Sequence, residues 1–250
     1  MDQSSYIYCC RGKEFRRDYG RLGELRSVFH RASIIALTAS APPSMVAAIK
    51  RSLDMDIHTK MVTHTSNRAN ITYLAKKAPL NIEDTFHWVA DLLRIKRETC
   101  PKMIIYCRSV KAIGLLFAYF NEELGDDIYI QRRNAQNRLV AMFHHATHQR
   151  IKDIVASSFP KEDSNIRLVI ASQAFGLGID CPDVHYVVHW GAARTFEGFY
   201  QESGRAGRNP SIVAYSIVYY HLCDVTKMAT DDRMRDFCLG VNTTPEVCNF

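Results

Sequence analysis

The sequence predicts an α/β fold in which a parallel sheet carries helices on both faces. Three observations predict it. Short apolar runs alternate with amphipathic stretches along most of the chain, the pattern of strand–helix–strand units that cover both sides of a sheet. At 250 residues, 47% hydrophobic and 23% charged, the composition is that of an ordinary globular protein long enough for one large or two small domains. No internal repeat, low-complexity tract or obvious flexible linker interrupts the alternation.

Residues 33–37, Ser-Ile-Ile-Ala-Leu, read as a buried strand. Residues 42–53 follow as a helix, with proline at the start and apolar residues at helical spacing. Residues 71–74 are a weaker strand, and 81–96 a helix with Phe86, Val89, Leu92 and Leu93 along one face. Then come a strand at 102–107, a helix at 110–124, a strand at 139–143, a helix at 149–159 and a strand at 167–171. A further strand at 184–189, a helix at 196–203, a last strand at 212–219 and a helix at 224–237 complete the series.

Several classes fall away on composition. The eight cysteines are scattered without a Cys-x-x-Cys spacing, and no secretory hydrophobic segment opens the chain. A disulfide framework is therefore not expected; reduced thiols of nucleus or cytoplasm are. No apolar run approaches the roughly 18 residues a bilayer span requires. The net charge of +6 permits nucleic-acid binding without demanding it. Its distribution is more informative: from Ile128 to Lys152 there is no acidic residue, while Arg132, Arg133, Arg138, Arg150 and Lys152 are basic. A second cluster, Arg11, Lys13, Arg16 and Arg17, is interleaved with Phe15 and Tyr19. Basic and aromatic side chains together can track a phosphodiester backbone and stack bases; a solvated face is the alternative for each cluster.

The densest chemical signal is Gln201-Glu202-Ser203-Gly204-Arg205-Ala206-Gly207-Arg208, two arginines three residues apart, each preceded by glycine. On a helix, positions 205 and 208 share a face, and the glycines would let another surface approach both forks. Arginine keeps its charge at any working pH and presents a planar fork to phosphate oxygens, as phosphoryl transfer requires. The strand at 167–171 runs into Gly176-Leu177-Gly178-Ile179-Asp180, but Cys181-Pro182 and another strand follow. A dinucleotide fingerprint would need a helix there, so a dehydrogenase reading fails. Residues 37–41, Leu-Thr-Ala-Ser-Ala, read in isolation as a strand-to-helix turn.

Taken in order, these segments resemble the RecQ-like branch of superfamily 2 DNA helicases. Residues 36–41 are similar to motif III, Ile104-Ile105-Tyr106-Cys107-Arg108-Ser109 to motif IV, residues 174–180 to motif V and 201–208 to motif VI. His144-His145-Ala146 with Arg150 resembles a further family segment, although Thr147 stands where the family has glycine and Asn209-Pro210 replaces Asp-Gly. The resemblance covers nearly the whole chain. It implies a RecA-like parallel sheet preceded by a partial first lobe, and an ATP-dependent 3′–5′ DNA helicase of unwinding, recombination or repair. It places Arg205 and Arg208 toward nucleotide phosphates, with Gln201 as their coupling partner and Gly178 and Asp180 near the nucleotide. It assigns DNA contacts, preferably to single-stranded or forked DNA, to Thr38, Arg108, Ser109 and His145. Thr38 also reads as a capping hydroxyl, His145 as a core histidine and Asp180 as a cap of its own loop.

The chain contains no Gly-x-x-x-x-Gly-Lys-Ser/Thr and no Asp-Glu-x-His. ATP and magnesium are thus expected to be shared with a first lobe, with none bound by this chain alone and no ATPase from it alone. The resemblance divides the chain into a first-lobe remnant at 1–60, a second RecA-like lobe at 61–222 and the start of a zinc-binding module at 223–250. Cys248 alone cannot hold zinc, which needs about four ligands, so no metal is expected. A non-catalytic nucleic-acid-binding module, or a remnant derived from such a lobe, is the alternative.

Overall fold

The computed structural model describes residues 17–29, 32–37, 43–63, 68–79, 81–176 and 180–240. The chain divides into two compact units, with the break between residues 67 and 68.

In the first unit a 3-10 stretch, Arg17–Glu24, runs into one α-turn, Leu25–Val28, and helix α1 spans Pro43–Ser52. Ile49 and Leu53 form a small buried cluster on which Leu22, Ile34, Ala36 and Met55 pack. Gly23 is required there: a Cβ on it would lie 2.4 Å from the Ser52 carbonyl oxygen. The strand expected at 33–37 does not form. Ile34 and Ala36 face the cluster while Ile35 and Leu37 are exposed, so the alternation of a strand survives without its ladder. Extended backbone becomes a strand only beside a hydrogen-bonding neighbour, and among the described residues this unit offers none.

The second unit is built on a six-stranded sheet of β1 (Ile71–Lys77), β2 (Lys102–Cys107), β3 (Val140–Phe143), β4 (Leu168–Ala171), β5 (Val184–Trp190) and β6 (Ala214–Tyr220). Every pairing is parallel, in the order β1-β6-β5-β2-β4-β3. Helices α2 (Ile82–Lys96), α3 (Val110–Leu124), α4 (Gln149–Ser158) and α5 (Phe196–Ser203) link successive strands. Central strand β2 is buried along its whole length. Met103, Ile105 and Cys107 join Phe86, Val89 and Leu93 of α2 and Ile113, Leu116 and Phe120 of α3 in one cluster; Ile104 and Tyr106 join Val155 of α4 and Phe159 in the other. Two-sided burial is why β2 is nearly all apolar, and each such Leu, Ile or Phe contributes about 1.5–3 kcal/mol. Lys102 is the exception: its buried Nζ donates to the Lys161 carbonyl at 2.6 Å and pairs with Asp183 at 2.8 Å.

The helix expected at 224–237 is two elements, a 3-10 turn at Leu222–Val225 and helix α6 at Asp232–Leu239. Asp231 imposes the break. Its carboxylate accepts the Met234 amide at 2.8 Å as the α6 cap and the Phe196 amide at 3.0 Å, while its own amide donates to the Arg194 carbonyl. A residue so engaged cannot continue a helix through itself.

Candidate functional site

The carboxyl ends of β2, β4 and β5 open into a pocket of about 240 Å³ lined by Tyr106, Cys107, Arg108, Ser172, Gln173, His189, Gly191, Ala193, Arg194 and Glu202. β2 is flanked by β4 on one side and β5 on the other, and ligands of parallel sheets bind at such strand ends. Its floor is polar. His189 Nε2 and Glu202 Oε2 are 2.8 Å apart and buried, and the His189 ring stacks on Tyr106. Burial pushes the Tyr106 phenol well above its ordinary range, opposed by the adjacent Arg205 guanidinium.

At the rim, Arg108 follows β2 and is already engaged: Nη1 donates to Asp224 Oδ1 at 3.3 Å and Nη2 to the Ala229 carbonyl at 3.1 Å. Ser109 caps α3, its Oγ accepting the Ala112 amide at 3.1 Å. Arg194 is exposed, and its side chain makes no ion pair among the described residues. His145, at the end of β3, is exposed, so it is not a core histidine; its buried neighbour His144 is, with Nδ1 accepting the Ala146 amide at 3.2 Å.

The arginine pair is not carried on one helical face. α5 ends at Ser203, and residues 204–207 form a turn. Gly207 has φ +56°, and its amide donates to the Val184 carbonyl. A Cβ at Gly207 would sit 2.6 Å from Asn70 Nδ2, which donates to the Gly207 and Ile212 carbonyls at 2.9 Å each. The need for glycine here comes from inside the protein: left-handed backbone and an Asn70 clamp. Arg205 is half-buried beside Tyr106, Gln201 is exposed on the last turn of α5, and Arg208 is paired through Nη1 with Asp180, a largely exposed carboxylate. Thr38 and Gly178 lie outside the described residues.

Of the basic residues at 132–138, Arg133 is paired with Asp126, and Arg138 lies over the rings of Phe117 and Tyr129 with Nη2 on the Asn121 carboxamide oxygen. These contacts tie that segment to its own unit. Sequence reasoning missed Asp224, Glu202, His189 and Asn70 because each finds its partner across the fold. Arg194, a basic residue in a strand-end loop, carried a readable signal.

A family model described as the helicase conserved C-terminal domain matches residues 84–210. The chain belongs to this helicase C-terminal domain family. The domain's sequence relatives include ATP-dependent DNA helicase Q1 of Pongo abelii, 32% identical over 90% of this chain and 32% of that protein, and the RecQ-like DNA helicase BLM of Xenopus laevis, 32% identical over 87% of this chain and 14% of that protein. The chain thus spans a third or less of these curated relatives. Among solved structures, S. cerevisiae Dbp5 bound to RNA and ADP BeF3 superposes with a TM-score of 0.63 at 13% identity, covering 97% of this chain and 60% of that one. Helicase Lhr of Mycobacterium smegmatis, bound to single-stranded DNA and AMP-PNP, gives 0.60 at 20% identity over 82% of this chain and 26% of its own. The helicase C-terminal domain here is therefore a RecA-like six-stranded parallel fold, and its relatives are RecQ helicases.

Proposed function

We propose that this chain supplies the second motor lobe of an ATP-dependent 3′–5′ DNA helicase, with Arg205 and Arg208 as the phosphate-reading pair and the strand-end pocket as the seat of a single strand or fork. The observation that carries the reading is the Arg208–Asp180 pair. Arg208 directly follows a turn fixed by Gly207, yet its partner carboxylate is 82% exposed, so a phosphate can replace it with little burial cost. Arginine forks fixed in this way stabilise charge that develops on a transferring phosphoryl group. Gln201, exposed on the last turn of α5, is their coupling partner in this reading.

In this reading the arginines meet nucleotide phosphates. Among the described residues no group of three or more His, Cys, Asp or Glu is placed to hold a metal ion. The phosphate loop and metal ligands belong in this reading to a first lobe, and cleft closure between lobes would gate turnover. Arg108, Ser109, His145 and Arg194 then face the strand backbone. The setting is DNA unwinding, recombination or repair, in nucleus or cytoplasm.

The test uses the purified chain with a short labelled single strand and with ATP. Binding that weakens steeply with salt is expected, with no DNA-stimulated turnover by this chain alone. Salt-independent binding would remove the nucleic-acid reading, and turnover abolished by Arg208→Ala would remove the shared-site reading. Binding that is unaffected by Arg208→Ala, in a chain that restores no activity to a first lobe, would favour a non-catalytic binding module.

A further inference from the structure

Two arginines stand at the rim of the strand-end pocket, and they are in different states. Arg194 is exposed with no side-chain ion pair among the described residues, whereas both terminal nitrogens of Arg108 are occupied, one by Asp224 and one by the Ala229 carbonyl. The Arg108 stem crosses Gly191, which has φ +93°; a Cβ there would come within 3.0 Å of Arg108 Cδ and 3.7 Å of Asp224 Oδ2. Glycine at 191 is what lets the pair form over the pocket mouth.

Asp224 is not a loosely tethered counter-ion. Its Oδ2 accepts the His221 amide at 2.9 Å, closing the 3-10 turn Leu222–Val225, while Oδ1 faces Arg108. The carboxylate side chain is 17% exposed and the guanidinium 31%. The carboxylate is therefore fixed by backbone on one edge and presented to Arg108 on the other, and the arginine, on its long flexible stem, is the member of the pair free to leave.

We propose that Asp224 sets the affinity of this rim for the phosphodiester backbone by competing with phosphate for Arg108. Arg194 is available to a strand from the first encounter; Arg108 engages only once phosphate displaces Asp224. The proposal rests on reading Arg108 as a strand contact. A partly exposed ion pair contributes up to about 1 kcal/mol, so releasing Arg108 should tighten binding about two- to fivefold. The displaced carboxylate also subtracts from the charge that expels counterions, so removing it should steepen the salt dependence.

The experiment is fluorescence anisotropy of a short labelled oligothymidine with the full chain, across a salt series, for wild type, Arg108→Ala, Asp224→Asn and the double variant. Asparagine keeps an oxygen to accept the His221 amide; Asp224→Ser, whose hydroxyl can do the same, replaces it if the asparagine variant melts early. Expected are tighter binding and a steeper salt slope for Asp224→Asn, weaker binding for Arg108→Ala, and a double variant that matches Arg108→Ala alone. Folded Asp224 variants that bind like wild type or more weakly would overturn the competition while leaving Arg108 a contact. Tightening of equal size in the Arg108→Ala background would reduce the effect to general charge and also overturn it. Unchanged binding by Arg108→Ala would instead remove the underlying reading of Arg108.

Discussion

His189 of β5 and Glu202 of α5 meet Nε2 to Oε2 at 2.8 Å with side chains only 2% and 11% exposed. They are thirteen residues apart in sequence, and the contact ties a central strand to the helix whose end leads into the arginine turn. His189 is also sandwiched by aromatics, with Tyr106 stacked on it and Phe199 edge-on at 5.0 Å.

Removing one member of this pair leaves the other buried without its partner, which costs far more than replacing both. His189→Phe keeps the ring packing against Tyr106 and Phe199 but strands the Glu202 carboxylate, and about 3 kcal/mol of stability should be lost. His189→Phe with Glu202→Leu should recover most of it. Urea denaturation of His189→Phe, Glu202→Leu and the double variant checks this; additive losses would mean that the two side chains do not act as a pair.

Lys102 and Arg133 make a sharper contrast than their similar chemistry implies. The Lys102 side chain is fully buried, with Asp183 and the Lys161 carbonyl as partners, while the Arg133–Asp126 pair is 72% and 78% exposed. Lys102→Met should cost about 3 kcal/mol, because Asp183 and the carbonyl lose their donor. Arg133→Ala should leave the denaturation midpoint where it is, since exposed pairs contribute little against side-chain entropy and screening. A Lys102→Met protein as stable as wild type would show that water reaches the Lys102 site.

Much of this architecture is legible in the sequence, and the failures have a common cause. Strand β2 and helices α2 and α3 are set by local pattern, an apolar run and amphipathic repeats, so their positions follow from sequence alone. Residues 33–37 have the same local signature yet form no strand, because strand formation needs a partner that local pattern does not reveal. The break at Asp231 depends on Arg194 and Phe196, far away in sequence. The arginine octet announces its chemistry, but Gly207 serves an Asn70 clamp 137 residues away. Arg108 is visible as a motif residue, while its restraint by Asp224 exists only once the sheet has set β2 and β6 on either side of β5.

Gly207 and Gly114 should respond oppositely to alanine. Gly207 has φ +56° and a Cβ there would press on Asn70 Nδ2, whereas a Cβ at Gly114, within α3, meets nothing inside 4 Å. Left-handed backbone costs an L-residue about 1–2 kcal/mol, and the Asn70 clash adds to it. Gly207→Ala should therefore destabilise by about 2 kcal/mol or more and loosen the turn that carries Arg208. Gly114→Ala should stabilise by up to about 1 kcal/mol, since alanine is the better helix former. Thermal melting of both variants checks the pair of signs; two losses of equal size would refute the assigned backbone difference.

His144 gives the protein a predictable acid sensitivity. Its Nδ1 accepts the Ala146 amide, and the Thr147 hydroxyl accepts the amide of His144 itself, so this turn after β3 uses the imidazole in its neutral form. Burial first, then the charges of His145 and Lys152, hold the ring below the ordinary histidine value of 6.5. Between the folded and unfolded values the unfolded chain binds more protons, so stability rises with pH across that window. The contribution is complete above the unfolded value and is lost as pH falls through the folded one. Melting temperatures taken from about pH 7.5 down to about pH 5 should fall more steeply for wild type than for His144→Asn, whose carboxamide oxygen can accept the same amide without titrating. Parallel profiles for the two proteins would place the acid sensitivity elsewhere, and a steeper fall for the asparagine variant would reverse the sign of the shift assigned to His144.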